Sequence, residues 1–483
     1  MFVPFSGYAP DFDPVTPGII TDCTDYIPTQ KGYAAAPANA NGGYDALAAT
    51  CVGSAILQNL SGSYRLIAGT SSHLYEGATA PTWTDVSRGG GYSGSTDHRW
   101  SFAQFGDTSL AALKSNTLQY SNSAGSAFAD ISGAPKARFV DTVPGFVMLA
   151  DTNEATNGDQ ADRWWCSAYN DYTSWTASVT TQCTTGRLIG APGPIRAWKR
   201  LGDGIVAYKD RAIFVGRYVG APSVWDFSLL PGDVGVSSNE AVVNVGTAHF
   251  FVGYEDIYYF DGSRPVAIGD PIKKTFFNDL NKTYRYRIVG MHDRTNSLVV
   301  FFYPSGNSTT CDSGIVFNYK TSKWGRLDRN VEAVTEYLTG QVTYANIGNY
   351  FASYAAINVP YDSPFWSASS PVAAIFGTDH TLYTLTGAAA TCTLTSGDLG
   401  DDDTFSLLSR IRPRFSSAPS SATLSNSYRN TSGSSLTTDQ TVTLSSGKFD
   451  LLRSARWHQT VLSTSGNCEL SGMDYVMASE GTE

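Results

Sequence analysis

"FFVGYEDIYYFDGSRPVAIGDPIKKTFF" occupies residues 250–277. Two short apolar runs, 250–252 and 257–260, are set apart by Gly-Tyr-Glu-Asp, and the second ends at Asp-Gly-Ser-Arg-Pro. Short aromatic and β-branched runs bounded by such residues read as strands joined by turns. Whether this unit occurs once or many times decides the fold.

It recurs. "LIAGTSSHLYEGATAPTWTDVS" starts at Leu66, "SLAALKSNTLQYSNSAGSAFADIS" at Ser109, "GIVAYKDRAIFVGRYVGAPSVWDFS" at Gly204 and "AAIFGTDHTLYTLTG" at Ala373, with looser copies from Gly145 and Leu298. Each copy runs strand, polar turn, and a second strand holding an apolar or aromatic pair. The pairs are Leu74-Tyr75, Leu118-Gln119, Trp164-Trp165, Ile213-Phe214, Tyr258-Tyr259, Val316-Phe317 and Leu382-Tyr383, at steps of 44, 46, 49, 45, 58 and 66 residues. The first four steps match the roughly 40–50 residues of a four-stranded propeller blade. The last two imply insertions. A lone blade has two apolar faces it cannot cover, and blades closed into a ring cover each other. The sequence therefore predicts an all-β chain: a β-propeller of six to eight four-stranded blades. A pair of β-sandwiches and a parallel β-helix are the alternatives, the latter repeating in much shorter steps.

Within that frame Trp83, Trp175, Trp225 and Trp324 are expected toward the outer part of their blades, and His73, His249 and His380 in one shared structural place. Asp270 as N-cap with Pro271 in the first turn, then Ile272, Phe276, Phe277 and Leu280 on one face, predicts a helix near 270–283. The Pro-, Gly- and Ala-rich residues 1–60 read as an extended arm. The propeller is expected over 61–400. Residues 401–483 read as a C-terminal β-domain or ring-closing segment.

Composition agrees: 16% charged, 13% aromatic and 46 glycines suit an all-β protein with many turns. The net charge of −10 argues against a broad nucleic-acid grip, which needs clustered Lys and Arg. No signal peptide is read at the N-terminus, and no run approaches the ~18 apolar residues of a membrane helix, so no membrane anchor is expected. Seven widely spaced cysteines, without a Cys-x-x-Cys, read as reduced thiols.

Chemistry is sought and mostly missing. Residues 89–94 fit G-x-G-x-x-G, but a strand signal follows where a dinucleotide fold needs a helix, so an inter-blade loop is expected. The six histidines share no metal-ligand spacing. A sugar hydrolase would need two opposed carboxylates, for which Asp107, Glu154, Asp162, Glu255 and Asp256 are candidates. Arg453, Arg456 and His458 cluster, but Arg453 and Arg456 face opposite ways on a strand, which suits a charged edge strand better than an anion site. No catalytic residue, cofactor or metal ligand is assigned, and the chain is read as a non-enzyme.

Three stretches carry a resemblance. "PFSGYAPDFDPVTPGIITDCTDYIPTQKGYAAAP" (residues 4–37) resembles the opening of the packaged-DNA stabilisation proteins of short-tailed bacteriophages, also called tail hub or nozzle proteins. "FDLLRSARWHQTVLSTSGNCELSGMDYVMASEG" (449–481) is similar to their closing β-segment, and "YYFDGSRPVAIGDPI" (258–272) also looks like theirs. Cys468 and the "GDLGDDD" turn depart from the pattern. The resemblance implies a structural virion protein of the phage tail, assembled in the host cytoplasm: a homohexameric ring below the portal and its head-to-tail adaptor protein. It implies as partners a tail needle or plug, tailspikes or fibres, and packaged double-stranded DNA passing through the lumen, which the ring helps retain until ejection. Acidic residues are expected to face that lumen, letting DNA slide without sticking. The alternative reading is a propeller glycan-binding or glycan-hydrolysing tail protein.

Overall fold

The computed structural model describes residues 1–338, 347–360 and 371–481. Among them the chain is nearly all β, and its strands build a seven-bladed propeller. Six blades are separate four-stranded sheets: residues 54–85, 101–130, 136–187, 197–229 and 242–267 make blades 1 to 5, and 333–387 make blade 7 with a borrowed fourth strand. Blade 6, residues 289–326, continues at its outer edge into a larger sheet. The innermost strands are Ser54–Gln58, Ser101–Phe105, Lys136–Val143, Ala197–Leu201, Val242–Asn244, Val289–Asp293 and Ala333–Leu338. Each neighbours the next, and the seventh neighbours the first, so the ring is closed.

Every repeated pair lies in or directly before the third strand of a blade. The reason is packing. Alternate residues of a strand point to opposite sheet faces, so an apolar pair contributes to both flanking interfaces. Trp164 and Trp165 show this: Trp164 joins the core between blades 3 and 4 with Trp198 and Trp225, while Trp165 joins the core between blades 2 and 3 with Leu110 and Trp175. Trp83, Trp225 and Trp324 stand on outermost strands, and Trp175 in the loop leading to one. First hairpins of blades 1 to 5 each turn on a glycine with positive φ (Gly62, Gly106, Gly145, Gly202 and Gly246), a conformation that glycine adopts without steric cost.

The residues expected as an extended arm, 1–60, are built into four of the chain's own sheets. Ala38–Asn41 is the outermost strand of blade 7, pairing antiparallel with Leu382–Gly387, so the chain's beginning locks the last blade. Phe2–Pro4, Tyr26–Pro28 and Tyr33–Ala35 enter the sheet that blade 6 shares with Phe405–Ser417, Phe449–Ala455 and Glu469–Gly481. Gly7–Tyr8 and Ile19–Thr24 enter a second sheet with Thr391–Ser396, Ser421–Arg429, Thr437–Thr443 and Trp457–Ser465. The two sheets share one core, with Cys23, Leu394 and Leu462 from one and Leu408, Phe449 and Met473 from the other. From His458 to Ser465 burial alternates residue by residue, as in a strand covered on one face.

The helix forms as Lys273–Asp279, shorter than expected, and Ile272, Phe276 and Leu280 are buried. Its cap is not Asp270, whose carboxylate binds Lys273 Nζ at 2.6 Å. Instead Asp11, from the N-terminal segment, accepts from the Lys274 and Thr275 N–H groups at 2.5 and 3.0 Å. A carboxylate from elsewhere in the chain thus satisfies the open donors of the first turn. This helix accounts for the longer step between blades 5 and 6. The step into blade 7 is lengthened by the chain between its first two strands, 339–370, of which 347–360 are described.

Candidate functional site

In a four-stranded antiparallel blade, the segment entering the innermost strand and the hairpin between second and third strands lie at the same end. Seven blades repeat this, so one end of the propeller gathers the entry segments and second hairpins around the axis. A polar cavity at this end, about 450 Å3, is lined by residues of five blades. Asp97 and His98 enter blade 2 and Lys114 begins its second hairpin. Arg138 and Asp151 stand on the first two strands of blade 3. Arg196 enters blade 4, Ser237 enters blade 5, Tyr254 sits in the second hairpin of blade 5, and Arg285 and Tyr286 enter blade 6.

Charge dominates it. Lys114 pairs with Asp151, which is 3% exposed, and reaches Asp159 at 3.0 Å. Arg138 Nη1 is 3.9 Å from the other oxygen of Asp151. Arg196 Nε donates to Asp210 at 2.9 Å, and the Tyr254 hydroxyl donates to the same carboxylate at 2.5 Å. Arg285 lies over the Tyr254 ring at 4.9 Å from its centre. Arg287 Nη2 donates to Asp97 at 2.6 Å, and the Tyr286 hydroxyl donates to the same oxygen at 3.3 Å. Arg99, just before the innermost strand of blade 2, donates to the carbonyl of Glu332 at 2.7 Å and so reaches the entry of blade 7.

These surroundings shift titration. Burial, with Arg138 next in importance, lowers the pKa of His98, so its neutral form is favoured. Burial raises that of Asp151 against the pull of Lys114. Burial and then the Asp210 carboxylate push Tyr254 up to about 12. The arrangement can hold an oxyanion among fixed cations. Among the described residues no group of three or more His, Cys, Asp or Glu is placed to hold a metal ion.

The residues singled out from sequence fall elsewhere and mostly apart. Asp107 accepts from the Leu60 N–H in the first hairpin of blade 2. Glu154 and Asp162 share one hairpin of blade 3, but Glu154 binds its own turn through Thr156 N–H and Asp162 pairs with Arg187. Glu255 meets Arg211 at 3.6 Å, while its neighbour Asp256 accepts from the Ile257 and Gly269 N–H groups. Residues 89–94 lie in the loop between blades 1 and 2, with no helix after them. His73 and His380 do share a place, in the second hairpins of blades 1 and 7; His249 does not, because it begins the second strand of blade 5. Arg453 binds Asp439 and lies over Tyr428, Arg456 lies over Phe405, and His458 contacts the Ser406 carbonyl, so the three do not converge. All seven cysteines are free and buried.

Sequence reading passed over the cavity's cations because they are far apart in the chain. Only part of a signal exists: Arg196 and Arg285 stand one and four residues before an innermost strand and Arg138 is the third residue of one, while Lys114 lies in a hairpin.

No model of a known protein family matches the chain, and no curated protein matches it. Among solved structures it is similar to YCF48 bound to D1 peptide, at 11% identity and a TM-score of 0.38, over 71% of this chain and 94% of that one. It is also similar to YCF48 from Cyanidioschyzon merolae (10% identity, TM-score 0.38, 73% and 99% covered). A third is BamB from Moraxella catarrhalis (10% identity, TM-score 0.37, 76% and 96% covered). Likeness this distant has no bearing on function, and the propeller assignment stands on the chain's own strand order.

Proposed function

We propose that this chain is a structural protein of a short-tailed phage tail: a nozzle subunit that assembles as a ring of six beneath the portal and adaptor, surrounds the DNA exit path and helps retain the genome. The observation that supports this reading most is where its two terminal stretches lie. Residues 4–37 and 449–481, which carry the resemblance, are neighbours in the same two sheets, with Leu470 opposite Tyr33. The resemblance therefore covers one folded body rather than two unrelated fragments. A ring of identical subunits uses head-to-tail contacts, and the two-sheet body joined to blade 6 offers a surface distinct from the propeller faces.

In this reading the adaptor, needle or plug, and tailspikes or fibres are its protein partners, and no reaction is performed. Native mass spectrometry of the purified chain, alone and mixed with its adaptor, tests the proposal. Six copies in either sample are expected. A trimer that releases sugar from host polysaccharide would overturn it in favour of a glycan-cleaving tail protein, and a monomer in both samples would overturn it outright.

A further inference from the structure

We propose that the polar cavity at the propeller mouth is a binding site for a phosphate dianion, either free phosphate or a small phosphomonoester. The cavity is lined by four cations, Lys114, Arg138, Arg196 and Arg285, and two carboxylates, Asp97 and Asp151; Asp159 also binds Lys114, Asp210 binds Arg196 and Arg287 binds Asp97, leaving a local surplus of one positive charge (5 − 4) in a chain of net charge −10. Two of these cations lack a close acid. Its nearest acid leaves Arg138 loosely paired: Asp151 lies at 3.9 Å. Arg285 stacks on Tyr254 and donates Nε to the Lys282 carbonyl, with no carboxylate within 4 Å among the described residues. His98 Nδ1 is buried without a hydrogen-bond partner.

A half-buried guanidinium presents several donors in a fixed plane, which suits phosphate oxygens. A phosphomonoester carries about −1.5 to −2 charge at pH 7 with three strong acceptor oxygens, which the two guanidiniums without a close acid can meet. The volume of about 450 Å3 lies within the range typical of small-molecule sites, and Tyr254 and Tyr286 provide wall for an attached sugar or ring. The cations come from blades 2, 3, 4 and 6, so the site needs those blades in their ring positions.

Calorimetric titration of the full chain in low-salt, phosphate-free buffer tests this, whatever its assembly state. The probes are inorganic phosphate and adenosine monophosphate, with adenosine and ionic-strength-matched chloride as controls. Saturable one-to-one binding of both phosphate probes is expected, with none for adenosine, weakened at least tenfold in Arg138→Gln and in Arg285→Gln. Tighter binding of the monophosphate than of phosphate identifies an ester as the preferred source; equal affinity identifies phosphate alone. Should Arg138→Gln fail to fold, Arg285→Gln in the entry segment of blade 6 carries the test. Absence of saturation above the chloride control, or undiminished affinity in the folded variants, overturns the proposal.

Discussion

Arg287 Nη2 lies 2.6 Å from Asp97 Oδ1, joining the segments that enter blades 6 and 2. Those blades are not neighbours: blades 7 and 1 stand between them on one side and blades 3, 4 and 5 on the other. The pair therefore spans the mouth of the propeller and bridges its axis at this end. If subunits form a conduit for DNA, it runs between copies and not through any one propeller.

Removing the bridge tests its local role. Asp97 is 48% exposed, so the pair is screened, and Asp97→Ala is expected to cost no more than about 1 kcal/mol of global stability. Hydrogen exchange should nevertheless accelerate at residues 95–99 and 284–288, because both entry segments lose their common anchor. Unchanged exchange there would show that the segments are held by other contacts.

A second ion pair is of the opposite kind. Arg65 and Glu76, 7% and 2% exposed, form a two-pronged contact at 3.0 and 2.8 Å within blade 1. Arg65 Nη1 also donates to Ser109 and Ser121 of blade 2, and Glu76 accepts from the Gly125 N–H. Glu76→Ala leaves a buried guanidinium uncompensated and is expected to cost roughly 3–5 kcal/mol. The double variant Arg65→Met with Glu76→Leu should recover much of that in urea unfolding. A double variant as unstable as the single would refute the assignment.

Acid sensitivity follows from His249. Its Nδ1 accepts from the Tyr208 hydroxyl at 2.7 Å and its Nε2–H donates to the Arg200 carbonyl at 2.8 Å, so the neutral ring is satisfied. Burial pushes its pKa down to about 4, against about 6.5 when unfolded. The unfolded state takes up the proton first as pH falls, so stability is full above about 6.5 and declines between there and 4, by on the order of 3 kcal/mol. His292, lowered to about 4 by burial and then by Arg294, adds to the same window. Urea midpoints at pH 7 and 4.5 should therefore differ less in His249→Gln than in the parent. An equal difference would show that His249 does not contribute.

Deleting residues 1–41 is expected to abolish cooperative unfolding, because it removes the closing strand of blade 7 and the N-terminal strands of the adjoining sheets. Thermal melts read this directly. A sharp transition in the truncated chain would show that the ring closes without them.

The propeller was legible because its third strands must cover two neighbours and so carry apolar pairs at a regular step. Ala38–Asn41 was not, since an outermost strand has little to bury, and only Ala40 there is fully enclosed. The strands of residues 1–35 were hidden for a related reason: at two to six residues they are too short to display an alternation. The mouth cations escaped notice because they come from entry segments, a hairpin and a strand of different blades, dozens of residues apart in sequence.

Electron cryo-microscopy of the full chain bound to its adaptor tests the ring most directly. The expected map has six copies, each with seven vanes, a conduit between copies, and propeller axes bridged at Asp97 and Arg287. Three-fold symmetry, or DNA density running through a propeller axis, would contradict it.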